Sequence, residues 1–318
     1  MKQTAKIYVA GHRGLVGSAL VRRLQASGFS NLLLPTRREL DLTRQQAVED
    51  FFERERPDYV FLAAAKVGGI RANSVFAGDF IRDNLLIQTN VIESARRAGV
   101  SKLLFLGSSC IYPKFASQPI RESELMTGPL EPTNSAYAVA KIAGIEMVQA
   151  YRRQFDFPGI CLMPTNLYGP GDNFDLENAH VAPALMRRFH EAKLSEAPEV
   201  TVWGSGRPRR EFLHCDDLAD AALLLMQEYD EAEIVNVGCG EDVSIAELAE
   251  TIRDVVGYPG RLTFDASKPD GTPRKLLDVS RLFAIGWRPK IALRDGLEQA
   301  YQWYVENVET KGVRATVS

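Results

Sequence analysis

Four cysteines in 318 residues are too few and too scattered for a disulfide scaffold. Cys110, Cys161, Cys215 and Cys239 include no CxxC pair, which argues against a structural zinc site and suits a reducing cytoplasm. The four histidines, His12, His180, His190 and His214, never stand at metal-ligand spacing, so no metal is expected. No apolar run approaches the roughly 20 residues of a membrane helix. The opening "MKQTAKIYVAG" passes from a few polar residues straight into a strand pattern, without the apolar stretch and cleavage site of a signal peptide. A net charge of -3 gives no electrostatic case for nucleic acid or an anionic membrane as partner. Internal repeats and low-complexity tracts are absent too. What remains is a chain of 45% hydrophobic and 25% charged residues, long enough for two closely joined domains.

The first half alternates short apolar runs with amphipathic stretches: "KIYVAG" then "LVGSALVRRLQASG", "NLLLPT" then "TRQQAVEDFFERERP", "YVFLAAA" then a long helix over 79–99. "KLLFLGSS" follows, and a helix over about 135–155. Near-continuous apolar strands alternating with helices predict an α/β fold, a doubly wound parallel sheet of Rossmann type covered on both faces. After "CLMPTNLYGPGDNF" the rhythm breaks into shorter, Pro- and Gly-rich elements, while "DDLADAALLLMQE" and "EIVNVG" read as late returns to the main sheet. The expected division is a nucleotide domain of 1–165 and 212–240 and a smaller α/β lobe of 166–211 and 241–318. The closing "ETKGVRATVS" is expected to be a frayed tail.

"GHRGLVG" places Gly11, Gly14 and Gly17 between the first strand and the first helix. Glycines there allow a tight turn, close approach of a pyrophosphate and helix-on-strand packing, and the helix N-terminus offers amide donors to phosphate. In a chain with 24 glycines the spacing alone means little; its strand-turn-helix context gives it weight. The second strand ends "LPTRREL", with Arg37 and Arg38 at the tip, Glu39 only after them, and Arg13 in the glycine loop. Guanidinium groups near the ribose suit a 2′-phosphate, so NADP(H) is the expected cofactor, with solvated surface arginines as the alternative.

Two serines and a thiol stand where the fourth strand opens, in "GSSCIYP". "YAVAK" then sets Tyr137 and Lys141 four apart, on one helix face. A phenol with an ordinary pKa of about 10 is a sluggish acid or base unless a neighbouring cation shifts it, and the lysine is expected to supply that charge and to hold the nicotinamide ribose. A YxxxK pair by itself is often just an exposed helix face; Ser108 and the glycine turn before it give it meaning. Read without further context, Cys110 is a small semi-buried filler and His180, in "ENAHVAP", an ordinary residue at a helix start.

With GxxGxxG, Ser108, YxxxK and "REFLHCDDLADA", the chain resembles the extended short-chain dehydrogenase/reductase family over nearly its whole length. Within it, "GSSCIYP", "YAVAKIAG", "PTNLYGPGDNFD", "HVAPALMRRFH", "VWGSG" and "DGTPRKLLDVSRL" resemble members that invert C3 and C5 of a GDP-4-keto-6-deoxyhexose and then reduce C4. The resemblance implies that Ser108 and Tyr137 bind the C4 oxygen, Lys141 assists, and Cys110 and His180 form an acid-base pair. It suggests Cys110 as base and His180 as acid, which the sequence leaves open. It also implies cofactor contacts from Gly11, Arg13, Gly14, Leu15, Val16, Gly17, Arg37, Asp41, Leu42, Lys141, Pro164, Asn166, Leu167 and His180. Substrate contacts fall to Ser108, Asn166, Arg188, Trp203, Arg210 and Asp270, with Arg187 or Arg209 open as alternatives to their neighbours. His12 belongs with the glycine loop, His190 and His214 with the structure. A GDP-sugar substrate and a homodimer paired through the long helix "DFIRDNLLIQTNVIESARRAG" complete the expectation.

Rival readings are a 4,6-dehydratase, a 4-epimerase or a non-catalytic NADP-sensing protein. A dehydratase needs carboxylates just after the serine, and "SSCIY" has none. A 4-epimerase keeps NAD tightly bound, which an arginine-rich strand tip does not suggest. A sensor on a degenerate fold usually loses the Tyr or the Lys, and here both stand with Ser108.

Overall fold

The computed structural model describes residues 1–176, 178–268 and 270–309, so the expected tail over 309–318 lies almost wholly outside the described residues. The chain opens β1 (Ile7–Ala10), α1 (Leu15–Ala26), β2 (Leu32–Leu33), α2 (Gln45–Glu55), β3 (Tyr59–Leu62), α3 (Ile70–Val75) and α4 (Ala77–Arg97). It continues β4 (Lys102–Leu106), α5 (Ser135–Phe155), β5 (Gly159–Pro164), β6 (Asn166–Tyr168), α6 (Val181–Leu194) and β7 (Glu199–Trp203). Then come β8 (Arg209–Arg210), β9 (Phe212–His214), α7 (Cys215–Glu228), β10 (Val235–Val237), β11 (Val243–Ser244) and α8 (Ile245–Val256). β12 (Arg261–Asp265), β13 (Arg274–Lys275), α9 (Ser280–Ala284) and α10 (Leu293–Tyr304) follow, and a π-helical turn, Val305–Glu309, closes the described chain.

Six strands form the main sheet in the order β10-β5-β4-β3-β1-β2, every neighbouring pair parallel. The strands are mostly apolar because both faces are covered, Lys102 on β4 and Asn236 on β10 being polar exceptions, and their side chains alternate between two cores. Ile7, Val9, Phe61, Leu104 and Leu106 face α1 and α7. Tyr8, Ala10, Val60, Leu62, Leu103 and Phe105 face α2, α4 and α5. The sheet is doubly wound as expected. Its connections turn in opposite directions from β1, so the sheet has its switch point at the C-terminal ends of β1 and β3, where such sheets bind ligands.

The second lobe has its own core of Leu185, Phe189, Leu248, Ile252, Val256 and Leu297 between α6, α8 and α10. α8 starts with a capping box, Ser244 accepting from the Glu247 amide while Glu247 reaches back, and stops at Gly257 in the left-handed region (φ 68°). One boundary differs from expectation. Leu277, Val279, Leu282 and Trp287, assigned by sequence to the lobe, pack in the cores of the main sheet. Asn236 on β10 draws this stretch in, its amide donating to the Ile120 and Asp278 carbonyls. The lobe is therefore left and re-entered once more than the composition suggests.

Candidate active site

The glycine turn is built by sterics. Gly11 adopts φ 83°, and a Cβ there would lie 2.8 Å from the Ala64 backbone, because the loop after β3 abuts the loop after β1. A Cβ on Gly17 would fall 2.0 Å from the Gly11 carbonyl oxygen, so only glycine lets α1 start this close to the strand. Gly14 is different: it caps α1 in extended backbone, and its nearest neighbour would be 3.5 Å away. The fold has no need of a glycine there, and the open space fits a phosphate held against the amides of the first turn, near Leu15 and Val16.

Arg13, Arg37 and Arg38 are exposed, and none forms a salt bridge among the described residues. Glu39 is turned away: its carboxylate accepts from the Thr36 amide (2.7 Å), and that bond, then Arg13 and His12 nearby, holds its pKa low. Asp41 is likewise committed, accepting from the Thr43 hydroxyl (2.7 Å) and amide (3.0 Å), with Arg37 close enough to lower its pKa further. The Leu42 carbonyl accepts from Asn90 (2.9 Å).

β4 ends at Leu106, and Ser108 caps a single 3-10 turn, Ser109–Ile111, by accepting from the Cys110 amide (3.2 Å). The turn lifts Cys110 to a half-buried position at the sheet's edge. The Ser108 hydroxyl also bonds Tyr137, on the first turn of α5. Two side chains of α5 thus meet the end of β4, since Lys141, one turn beyond Tyr137, reaches back to donate to the Leu106 carbonyl (2.7 Å).

The electrostatics differ from the sequence expectation. Burial pushes the Tyr137 hydroxyl well above its ordinary value, Cys110 adds to the rise, and only the Ser108 bond opposes it. Lys141 is 4% exposed, and burial pushes its own pKa down to about 7. Depth of burial decides this, and spacing along a helix does not reveal depth.

His180 is the N-cap residue of α6, with its ring open to solvent but ringed by protein, which lowers its pKa through desolvation. The loop leading to it is fastened by the Gly69 amide, which donates to the Asn178 carbonyl (2.9 Å); a Cβ on Gly69 would lie 2.9 Å from the Ala179 oxygen. "KVGG" carried that signal, though the sequence reading passed over it.

A second cluster lies around β7 and β8. Trp203 is 66% exposed, with Arg188 5.7 Å and Lys268 5.8 Å from its ring centroid. Asp270 accepts from the Ser205 amide (2.8 Å) and hydroxyl (2.7 Å), fixing the loop after Trp203. Arg210 stands beside Gly271, half-buried, and desolvation lowers its pKa. The alternatives are occupied elsewhere: Arg187 pairs with Glu191 (2.7 Å) and Arg209 with Asp242 (2.7 Å).

Between the clusters sits Glu211, completely buried. Its carboxylate accepts from the Gly240 (2.8 Å) and Leu277 (3.0 Å) amides, and its carbonyl from Asn166 (2.8 Å) and Thr165 (3.3 Å). It joins β5, with Pro164 at its end, and β6, carrying Asn166 and Leu167, to the lobe. Sequence reasoning missed it, along with Lys275, whose ammonium nitrogen lies 3.7 Å from the Cys110 sulfur.

His190 and His214 are structural. His190 is buried against the Tyr301 hydroxyl (3.0 Å), and His214 caps α7 by accepting from the Asp216 amide (3.2 Å). Among the described residues, His214, Cys215 and Asp216 bring potential metal-ligand atoms within 4.8 Å of one another, but they are consecutive cap residues and Asp216 is paired with Arg22 (2.5 Å). No described helix is long and apolar enough to cross a membrane.

A parallel sheet with a glycine turn at its switch point, and Ser, Tyr and Lys gathered at the next strand ends, is the arrangement of a dinucleotide-dependent oxidoreductase. Residues 7–238 match the model of the NAD-dependent epimerase/dehydratase family, and the chain belongs to that family. It is 65% identical over 311 residues to a putative GDP-L-fucose synthase 2 of Arabidopsis thaliana, covering 98% of this chain and 95% of that one. It is 56% identical to the GDP-L-fucose synthase of Escherichia coli K12, over 95% of this chain and 97% of that one. Among solved structures it is similar to MlghC, a GDP-mannoheptose C4 reductase from Campylobacter jejuni with NADP bound: TM-score 0.88, 43% identity, 96% and 99% coverage.

Proposed function

We propose that this enzyme converts GDP-4-keto-6-deoxy-D-mannose to GDP-L-fucose, inverting C3 and C5 and then reducing C4 with NADPH. The observation that carries the reading is the joint placement of Ser108, Cys110 and Tyr137, a carbonyl-binding pair with a thiol on the same turn, in a chain 65% identical to a putative synthase of that name.

The C4 ketone acidifies the hydrogens on C3 and C5. Tyr137, kept protonated by burial, and Ser108 donate hydrogen bonds to the C4 oxygen and stabilise the enolate as either proton leaves. Cys110 and His180 serve the two faces of the sugar, one removing the proton and the other returning it. We assign the base to the thiol and the acid to the imidazole. Both inversions reuse the same oxygen-binding pair. When bound, NADPH supplies hydride to C4; Tyr137 then passes its proton to the oxygen.

The glycine turn fits the cofactor's pyrophosphate, and Arg13, Arg37 and Arg38, exposed and without a salt bridge among the described residues, suit its 2′-phosphate. Lys141, Asn166, Leu167 and Pro164 line the nicotinamide end. Arg188 and Arg210 take the substrate diphosphate, the Trp203 indole covers the base, and Asp270 holds the loop that carries the indole. α4 and α5 leave Leu86, Val139 and Phe155 exposed, in keeping with a homodimer formed through these helices. Four free thiols are in keeping with a cytoplasmic enzyme.

The test is to mix protein, NADPH and GDP-4-keto-6-deoxy-D-mannose, follow NADPH loss and identify the sugar by NMR. The reading expects GDP-L-fucose. A product reduced at C4 with C3 and C5 uninverted would make this a simple C4 reductase, the activity for which the Campylobacter neighbour is named.

A further inference from the structure

We propose that Lys275 is the positioning residue of the Cys110 base, its ammonium group holding the sulfur in the anionic form that accepts a proton. The proposal rests on the acid-base role given above to Cys110 and adds the group that makes a thiol serviceable there. A free thiol is only a few per cent ionised near neutrality, and cationic neighbours are the usual means of raising that fraction.

The geometry is specific. Lys275 Nζ donates to Cys110 Sγ at 3.7 Å across 165 residues of sequence, with both side chains half-buried. The lysine is delivered by short, well-anchored backbone. β13 runs parallel to β8, with Lys275 opposite Arg210. Just beyond it, the Leu276 amide donates to Gln118 (2.8 Å) and the Leu277 amide to buried Glu211 (3.0 Å). The adjoining Arg274 is neutralised by Asp242, whereas Lys275 has no carboxylate partner among the described residues.

Other groups around the pair do not compete for the ammonium. Tyr137, from α5, is held neutral by burial. Ser108, on the thiol's own turn, bonds the Cys110 amide and Tyr137. Arg210, across from Lys275 on β8, adds positive charge, and the Glu211 carboxylate is consumed by the Gly240 and Leu277 amides. In the exchange step the thiolate forms an S–H bond with the hydrogen of C3 or C5, and the C–H electron pair moves onto the C4 oxygen. Lys275 keeps its proton throughout, and the thiol proton passes to solvent before the next turn.

Iodoacetamide alkylation tests this without substrate, so its outcome is independent of whether the sugar assignment is right. The rate is read on the Cys110 peptide by mass spectrometry, because Cys239 is also half-buried and Cys161 and Cys215 are buried. At pH 7, Lys275→Met is expected to slow alkylation about tenfold, and Lys275→Arg to restore it to within about threefold of wild type. NADPH binding reports that each variant is folded. If Lys275→Met does not fold, the wild-type profile decides: the proposal expects less than about a threefold rise from pH 7 to 8.5, and a rise of about tenfold or more over that interval, as an ordinary thiol gives, overturns it. A Lys275→Met protein that binds GDP weakly but alkylates at the wild-type rate would also overturn it, leaving the lysine to the diphosphate alone.

Discussion

Replacing Lys141 with methionine should make the cofactor-free protein more stable while removing its activity. The side chain is 4% exposed, and burial moves its pKa from 10.5 to about 7. Between those values the unfolded chain carries a proton at this position that the folded chain lacks, so folding of the wild type is opposed most at low pH and progressively less as pH rises toward 10.5. Integrating that difference, the lysine costs about 4 kcal/mol at pH 7 and about 2 kcal/mol at pH 9. Methionine has nearly the same shape and no charge, but it forfeits the bond to the Leu106 carbonyl, roughly 1–3 kcal/mol. The net expectation is a gain of about 2 kcal/mol at pH 7, a few degrees in melting temperature, falling to near zero at pH 9. Scanning calorimetry of both proteins at the two pH values measures it. A variant that melts at or below the wild-type temperature at pH 7, with a difference that ignores pH, would refute the claim that a buried ammonium is held here against its solvation. Stability withheld at a functional lysine is the usual trade between folding and activity.

Gly17→Ala and Gly14→Ala should separate folding from binding. The first drives a methyl to 2.0 Å from the Gly11 oxygen and should cost at least about 2 kcal/mol in denaturant unfolding; the second meets nothing closer than 3.5 Å, should leave unfolding nearly unchanged, and should weaken NADPH binding about tenfold. Equal stability losses would contradict the distinction. Arg37→Asp should raise the KM for NADPH by about tenfold or more while that for NADH changes little, and an unchanged ratio would remove the 2′-phosphate assignment. Asp172 has a buried, unpartnered Oδ2 and a pKa raised to about 7 by desolvation, so its contribution to stability is lost as pH rises from 4 through 7. Asp172→Asn should therefore stabilise by up to about 4 kcal/mol near pH 8 and by little at pH 4, as read by thermal melts.

Elements whose local pattern and packing agree were legible. α5 runs from Ser135 to Phe155 as its amphipathic spacing predicted, and α4 lies two residues earlier than the expected 79–99. The two-core sheet followed from the apolar runs, although β2 is only Leu32–Leu33. Long-range partners were not legible. Lys275 looks like one basic residue among several until β13 pairs with β8, and Glu211 looks like a surface acid until three chain segments close on it. The return of 276–287 to the sheet depends on Asn236 bonds formed only in the folded chain. Tyr137 and Lys141 were found by spacing, but the direction in which each titrates depends on desolvation, which a one-dimensional pattern does not contain.

The central claim is that Ser108 and Tyr137 bind one oxygen through both inversions and the reduction. It is tested most directly with Tyr137→Phe in deuterated water, measuring deuterium entry at C3 and C5 separately from NADPH oxidation. Both should fall together, by about a hundredfold or more, while NADPH still binds. Exchange at the wild-type rate beside a lost reduction would show that the enolate is stabilised elsewhere.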